Sequence, residues 1–212
     1  MFAAHTYEEI ERNERAMGDR HIVILLFVRP SLQGAEEIID EFDYLHYNSS
    51  RYCSIYAVGY TNDSSVSGDP EYKKVKGVSG TDWYYSNKAF VAFKNNLEHR
   101  LSWRYSGEIE ILVLQSNPEG RQVLNFQNYI AIDVNYGIRS EYIDSFPRFM
   151  ESLIRSSKSE VTAVSAMSNM RQNRYSVKKI LTSSIEECKK IPKPVKIILK
   201  DRLFFLPSRS PD

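Results

Sequence analysis

The chain has 212 residues, a length that suits one globular domain with at most a small appendage. Its 42% hydrophobic and 26% charged residues are typical of folded proteins and exclude the disordered class. The net charge of +1 conceals an uneven distribution, because residues 148–212 hold 14 Lys and Arg against 6 Asp and Glu, whereas residues 1–147 hold 14 against 21. The C-terminal part is therefore strongly basic and the rest of the chain is acidic.

The two cysteines, Cys53 and Cys188, do not indicate redox or zinc chemistry. They lie far apart, and neither belongs to a CxxC or zinc-binding spacing. Cys53 lies in an apolar run, which predicts a buried and inert thiol. There is no signal-peptide pattern and no apolar run of 18 residues. We therefore expect a soluble cytoplasmic protein with no metal, no cofactor and no membrane partner.

The first predicted elements are a capped helix and a buried strand. Thr6 and Glu9 have the spacing of a capping box, and Gly18 provides a stop, so residues 1–20 are interpreted as an N-terminal helix. The unbroken apolar run 22–28 then predicts a strand that is covered on both faces.

The next elements follow the pattern of an α/β protein. An amphipathic helix is predicted from residue 35 to 45, a second strand over 52–60, parallel to the first, and a helix over 87–102. The intervening residues 61–87 are polar and predict a long loop, with a functional loop and a mobile insert both left open.

The remaining strands and helices complete the domain. Residues 108–114 and 126–134 predict an antiparallel hairpin. A helix follows near 140–155, or begins near Ser145 so that Pro147 falls in its first turn. Beyond it, residues 157–212 are interpreted as a basic helical C-terminal extension, with residues 202–207 as a final strand or docking segment.

From residue 22 to residue 155 the order is strand, helix, strand, helix, strand, strand, helix. This order resembles the thioredoxin-like fold. The resemblance implies an α/β domain over 21–156, with a mixed four- or five-stranded sheet and helices on both faces.

The residues at the family's reactive positions differ from the thioredoxin pattern. The CxxC motif would fall in the turn 29–34, which contains no sulfur, and the cis-proline would fall in the segment 103–107, which contains no proline. Since no thiolate is available there to attack a disulfide, we do not expect dithiol exchange.

The same resemblance predicts a candidate ligand site. The turn 29–34 and the segment 103–107 would meet at one end of the sheet, near the start of the second helix. Arg29 and Arg104 would then favour a phosphate or carboxylate, with Ser31 as a possible N-cap and Gln33 in the same turn. Tyr105 could stack on a ring of the ligand. The alternative is that the arginines pair with surface acids and the aromatic rings belong to the core.

Other polar residues carry weaker signals. The four histidines share no metal-binding spacing, and no phosphate-binding loop or nucleophile elbow is present. Asp133 ends an apolar strand, a position used by catalytic carboxylates, but with Asn135 beside it a capping role is favoured.

The lysines of the basic extension suggest a partner site. Lys189, Lys190, Lys193 and Lys196 recur among apolar residues. They fit a solvated helix face, a contact with nucleic acid or an acidic protein, or association with another copy of the chain.

These observations leave three functional hypotheses. The first is a non-catalytic thioredoxin-like binding or assembly subunit. The second is an enzyme or sensor for a small molecule that carries a phosphate or carboxylate. The third is a non-specific nucleic-acid binder that uses the C-terminal lysines.

Overall fold

A mixed sheet of five strands with helices on both faces forms the centre of the structure, and a two-residue strand extends one edge. The structure is a computed structural model, and it describes residues 2–49, 53–78, 81–127, 129–157 and 204–205. The strands are β1 (Phe2–Ala4), β2 (Ile22–Phe27), β3 (Cys53–Val58), β4 (Tyr60–Thr61), β5 (Lys73–Val78), β6 (Thr81–Tyr85), β7 (Glu110–Gln115), β8 (Ile130–Asp133) and β9 (Phe204–Phe205).

Helices of 6 to 14 residues connect these strands. They are α1 (Tyr7–Met17), α2 (Ala35–Asp40), α3 (Phe42–Ser49), α4 (Asn87–Arg100), α5 (Val134–Arg139) and α6 (Phe146–Ser157). Within the described ranges, no helix combines the length and apolar character needed to cross a lipid bilayer.

The strand order in the main sheet is β1-β3-β2-β7-β8-β9. Strands β1, β3 and β2 are parallel, whereas β7 is antiparallel to β2 and β8 is antiparallel to β7. The predicted α/β class, the parallel first pair and the antiparallel hairpin are therefore confirmed. The predicted order of strands and helices is present, with β4, β5 and β6 inserted before α4 and with α5 inserted before α6.

Strand β2 lies in the middle of this sheet, and the side chains of residues 22–28 are fully buried. On one face, the ring of Phe27 contacts the rings of Phe90 and Phe93 in α4. Helix α1 lies on the same face, because Tyr7 contacts Phe93. The alternate side chains of β2 are equally buried, and α2, α3 and α6 cover that second face. The unbroken apolar run predicts this two-sided burial.

Helix α1 begins and ends as its capping residues predict. The Thr6 hydroxyl accepts from the Glu9 backbone N–H, while the Glu9 carboxylate accepts from the Thr6 N–H. At the other end, Gly18 adopts a φ of 75° in the left-handed region.

The helix predicted over 35–45 is divided in two by the structure. Helix α2 ends at Asp40, and α3 begins at Phe42. The predicted core positions are correct nevertheless, because all of them are buried: Ala35, Ile38, Ile39, Phe42 and Leu45.

The prediction of a long polar loop over residues 61–87 is wrong. A short 3₁₀ helix, Ser64–Val66, is followed by β5 and β6, which form a second antiparallel sheet in the order β4-β6-β5. The reason is that Val75, Trp83 and Tyr85 are buried against the main core, so the segment carries its own apolar face. Its many polar residues conceal this face in the sequence.

The last predicted helix and strand are only partly within the described residues. Helix α6 begins at Phe146 and places Pro147 in its first turn, as one of the two alternatives predicts. Helix α5 was not predicted. The backbone of β9 pairs with β8 and falls within the predicted segment 202–207. The rest of the predicted basic extension lies outside the described residues.

A buried polar network joins α1 to the sheet. Glu14 has no exposure, and its carboxylate accepts a 2.8 Å hydrogen bond from the Tyr56 hydroxyl. His21 Nε2 lies 2.9 Å from the other carboxylate oxygen and 2.8 Å from the Ser54 hydroxyl, while Nδ1 lies 2.9 Å from the Asp19 carbonyl oxygen. Burial lowers the pKa of His21, but the hydrogen bond and charge of Glu14 outweigh this effect and raise the pKa above 6.5.

We expect Gly59→Ala to destabilise the fold strongly. Gly59 has a φ of 81°, and an added Cβ would lie 2.7 Å from Phe90 Cβ and 3.0 Å from Phe90 Cα. The left-handed backbone costs about 1–2 kcal/mol, and the clash adds roughly 1–3 kcal/mol. Urea unfolding measures the loss. Gly18→Ala is the matched control, because Gly18 has a similar φ with nothing within 4 Å, and it should show only the smaller cost. Equal losses for the two variants would contradict this account.

We expect stability to fall as pH rises through the folded-state pKa of His21. Because that pKa is raised, the folded protein holds the proton more tightly than the unfolded chain does. The resulting stabilisation is complete below pH 6.5 and is lost above the raised pKa. Urea midpoints measured from pH 5 to 9 should show this decline, and Glu14→Gln should flatten it. His99→Gln is the control, since His99 is exposed, and an unchanged profile for Glu14→Gln would refute the assignment.

Candidate functional site

Arg29 lies two residues beyond the end of β2, where the chain turns toward α2. Because side chains alternate along a strand, Arg29 lies on the same side as Phe27, which is the side covered by α4. Its guanidinium carbon is 4.9 Å from the ring centre of Phe90 and 5.7 Å from that of Tyr105. Both distances are within the range of cation–π contacts. The turn after β2 and the segment before β7 therefore meet at Arg29.

The guanidinium of Arg29 is half-buried without a carboxylate beside it. Among the described residues, none of the ion pairs involves Arg29. Its Nε atom is buried and has no hydrogen-bond partner in the described part of the chain. The hydroxyl of Tyr85 donates to Asn87 Oδ1 at 3.4 Å, and that of Tyr105 is buried without a partner in the described part of the chain. The site thus holds a positive charge and unused hydrogen-bonding groups.

Both tyrosines remain neutral under physiological conditions. Burial raises the pKa of Tyr85 to about 12, although the charge and hydrogen bond of Arg29 act in the opposite direction. Burial likewise raises the pKa of Tyr105 above its ordinary value. Neutral hydroxyl groups can donate hydrogen bonds. Tyr105 could therefore bind an anionic ligand together with Arg29, and Tyr85 could do so by giving up its 3.4 Å bond to Asn87 Oδ1.

Aromatic rings surround these polar groups. The ring centres of Phe90 and Tyr105 are 5.5 Å apart, and Phe90 lies 6.1 Å from Tyr85. A further ring, Trp103, lies 4.9 Å from Phe27. Such an apolar surrounding lowers the local dielectric response and strengthens any hydrogen bond made to Arg29.

The second sheet and the start of α4 bring these rings together. The backbone N–H of Ser86 donates to the carbonyl oxygen of Gly59, and its hydroxyl accepts from Ala89 to cap α4. Helix α4 therefore starts directly beside Gly59, with Phe90 in its first turn. Pairing of β4 with β6 places Tyr85 opposite Tyr60.

The other predicted residues of the turn are exposed to solvent. Ser31 is exposed and does not cap α2, whose N-cap is Gly34 with no side-chain hydrogen bond. The predicted capping role of Ser31 is therefore wrong. Gln33 is also exposed and lines a separate groove beside α2.

Arg104 lies at the opposite end of α4 from Phe90. Its Nη1 atom donates to the carbonyl oxygens of Glu98, Leu101 and Trp103, at distances of 2.7 to 3.1 Å. These carbonyls belong to the C-terminal end of the helix, which carries a partial negative charge. The two predicted arginines are therefore not brought together. Of the predicted ligand residues, only Arg29 and Tyr105 are in contact.

The predicted partner residues cannot be placed in the same way. Lys189, Lys190, Lys193 and Lys196 lie outside the described residues. Their role remains a prediction from the charge pattern of the sequence.

A second cleft, with a volume of about 500 Å³, contains two carboxyl groups. Glu110 accepts from the Trp103 indole N–H at 2.7 Å and from the Ser106 N–H at 2.8 Å, so it fixes the segment before β7. Burial raises the pKa of Glu110 despite these bonds. Asp133 accepts from the Tyr136 N–H at 2.7 Å and caps α5, which confirms its predicted capping role.

In the described part of the chain, no group of three or more side chains is arranged to hold a metal ion.

The thiol of Cys53 is unsuited to nucleophilic chemistry. Its residue is 3% exposed within β3, and burial raises the pKa of the thiol to about 12. The predicted burial of Cys53 is thereby confirmed.

Comparisons with protein families, with curated proteins and with solved structures found no match for this chain. The candidate site is argued from its own geometry.

Sequence reasoning missed two residues of the site, Phe90 and Tyr85. The sequence does show the aromatic run at 83–85 and the apolar face of the following helix, and both indicate buried residues. Their position against Arg29, however, depends on the pairing of β4 with β6. That pairing could not be anticipated from a segment interpreted as a loop.

We expect the Cys53 thiol to resist alkylation in the folded chain. With a pKa of about 12, about one thiol in ten thousand is ionised at pH 8, and burial excludes the reagent. In a Cys188→Ser variant, iodoacetamide should label less than a few per cent of the protein until urea is added, as followed by intact mass spectrometry. Rapid labelling of the folded variant would contradict the described burial.

Proposed function

We propose that this chain is a non-catalytic binding module of thioredoxin-like order that binds a phosphate or carboxylate group at Arg29. The group can belong to a small molecule or to a partner protein. In either case Arg29 would be the main contact, and the hydroxyls of Tyr85 and Tyr105 would assist it.

One observation carries this proposal. The guanidinium of Arg29 is half-buried between the rings of Phe90 and Tyr105, with no carboxylate partner among the described residues. A cation withdrawn from water loses hydration that its aromatic neighbours replace only in part. A bound oxyanion would supply charge-assisted hydrogen bonds to the guanidinium that no carboxylate of the described residues provides.

The proposal that the chain is non-catalytic is supported by the residues at the positions where thioredoxins carry their CxxC motif. Arg29 follows the central strand, and the turn 29–34 contains no cysteine. Cys53 is in the neighbouring strand and is buried. A fold of this order can therefore retain its binding end without a thiolate to carry out exchange.

The nucleic-acid alternative has no comparable support. Its candidate residues, Lys189, Lys190, Lys193 and Lys196, lie outside the described residues. Among those described, no contact favours it over the site at Arg29.

We expect Arg29→Gln to weaken the binding of oxyanions by at least tenfold. Hydrogen bonds to a charged group contribute roughly 1.5–3 kcal/mol, which corresponds to a change of about 10- to 150-fold. Isothermal titration with inorganic phosphate and with succinate, on the full chain, would measure the effect and compare the two anions. Arg29→Lys should retain part of the affinity, because it keeps the charge but loses the planar stacking.

Arg104→Gln is the matched control for this experiment. It removes the same charge from the neighbourhood of Tyr105, but its guanidinium is already bound by carbonyl oxygens. Its affinity should equal that of the wild type, with thermal unfolding used to verify that each variant folds. Equal losses for Arg29→Gln and Arg104→Gln, or no binding of either anion by the wild type, would refute a site centred on Arg29.

A further inference from the structure

A separate groove, with a volume of about 670 Å³, lies between α2, α5 and the start of α6. Its walls include apolar side chains from each of the three helices, namely Ile38, Ile138, Phe146 and Pro147. Ile138 is 38% exposed, although it is a large apolar residue. Ile38 and Phe146 are 3% and 4% exposed, so Ile138 provides most of the apolar surface that the groove presents to solvent.

The rim of this groove is acidic. Its carboxylates are Glu37, Asp40, Glu41 and Asp144. Arg139 also lines the groove, but its guanidinium lies 3.5 Å from Glu108. In the described part of the chain, Glu37 and Glu41 take part in no ion pair. An occupant with both positive charge and apolar side chains would fit such a surface.

The chain itself contains a segment with this chemistry. Residues 178–202 hold eight Lys and Arg against three Asp and Glu. Within them, residues 189–200 contain no acidic residue, and five lysines alternate there with Ile, Val and Leu. The segment thus matches the apolar walls of the groove as well as its acidic rim.

The position of β9 brings this segment within reach of the groove. Phe204 pairs with Ile132, and Phe205 pairs with Ala131, so the N-terminal end of β9 is the end nearer to α5. Helix α5 starts at Val134 and contributes Ile138 to the groove. Lys196 precedes Phe204 by eight positions, and an extended chain covers about 3.3 Å per residue. A tether this short gives a high effective concentration of the segment at the groove.

We infer that residues 189–200 dock in the groove between α2, α5 and α6 of their own chain. The lysines would lie against Glu37 and Glu41, and the apolar side chains would lie against Ile138. This contact would cover the acidic surface and would compete with any other basic segment for it.

Zero-length carbodiimide cross-linking of the full chain tests this inference. The reagent joins carboxylates to amines that are already in contact. At low protein concentration and low salt, we expect links from Glu37 or Glu41 to Lys189, Lys193 or Lys196 on the monomer, identified by mass spectrometry of the proteolysed product. Their yield should fall severalfold in 0.5 M salt, which screens such contacts.

Matched variants separate docking from random reaction. Glu37→Gln with Glu41→Gln should reduce the modification of these lysines at least threefold. Glu36→Gln should not, since Glu36 is exposed on the same helix but does not line the groove. Equal effects of the two changes, or no monomer link, would overturn the inference. Links found only in dimers would also overturn it, and would assign the groove to the segment of a second copy.

Discussion

Complete burial of β2 is the constraint on which the rest of the structure depends. The side chains of residues 22–28 have no exposure, so both faces of the strand must be covered and both of its edges must be paired. Strands β3 and β7 pair with the edges, and helices cover the faces. Arg29 is the first charged residue after this run. Its side chain therefore emerges from the core between aromatic rings, where few polar partners are available.

The close approach of Gly59 to α4 determines what lies around that arginine. A side chain at this position would collide with the backbone of Phe90, so the glycine permits the first turn of α4 to lie directly on the end of β3. The same residue redirects the chain from the main sheet into β4. Because Gly59 allows this close approach and this change of direction, the rings of Phe90 and Tyr85 lie near Arg29.

Elements whose signals are local could be predicted from the sequence, and those that depend on pairing could not. The capping box at Thr6 and the apolar run 22–28 each specify their structure within a few residues. The strands β5 and β6 bury their aromatic residues only after pairing with β4, and their polar composition gave no periodic signal. Arg104 illustrates the same limit at the site. The segment 103–107 meets Arg29 as predicted, through Tyr105. The Arg104 side chain, however, donates to carbonyl oxygens at the end of α4, which the sequence did not indicate.

The charges near the turn 29–34 explain why Arg29 lacks a carboxylate even though acidic residues follow closely in the sequence. Ala35, Ile38 and Ile39 face the core, so the helical periodicity directs Glu37 and Glu41 to the outer side of α2. Arg29 lies with Phe27 on the side of the sheet that α4 covers, whereas α2 covers the other side. The sheet therefore separates the cation from the nearby anions. Arg29 therefore has no ion pair among the described residues, and neither do Glu37 and Glu41 on the outer side of α2.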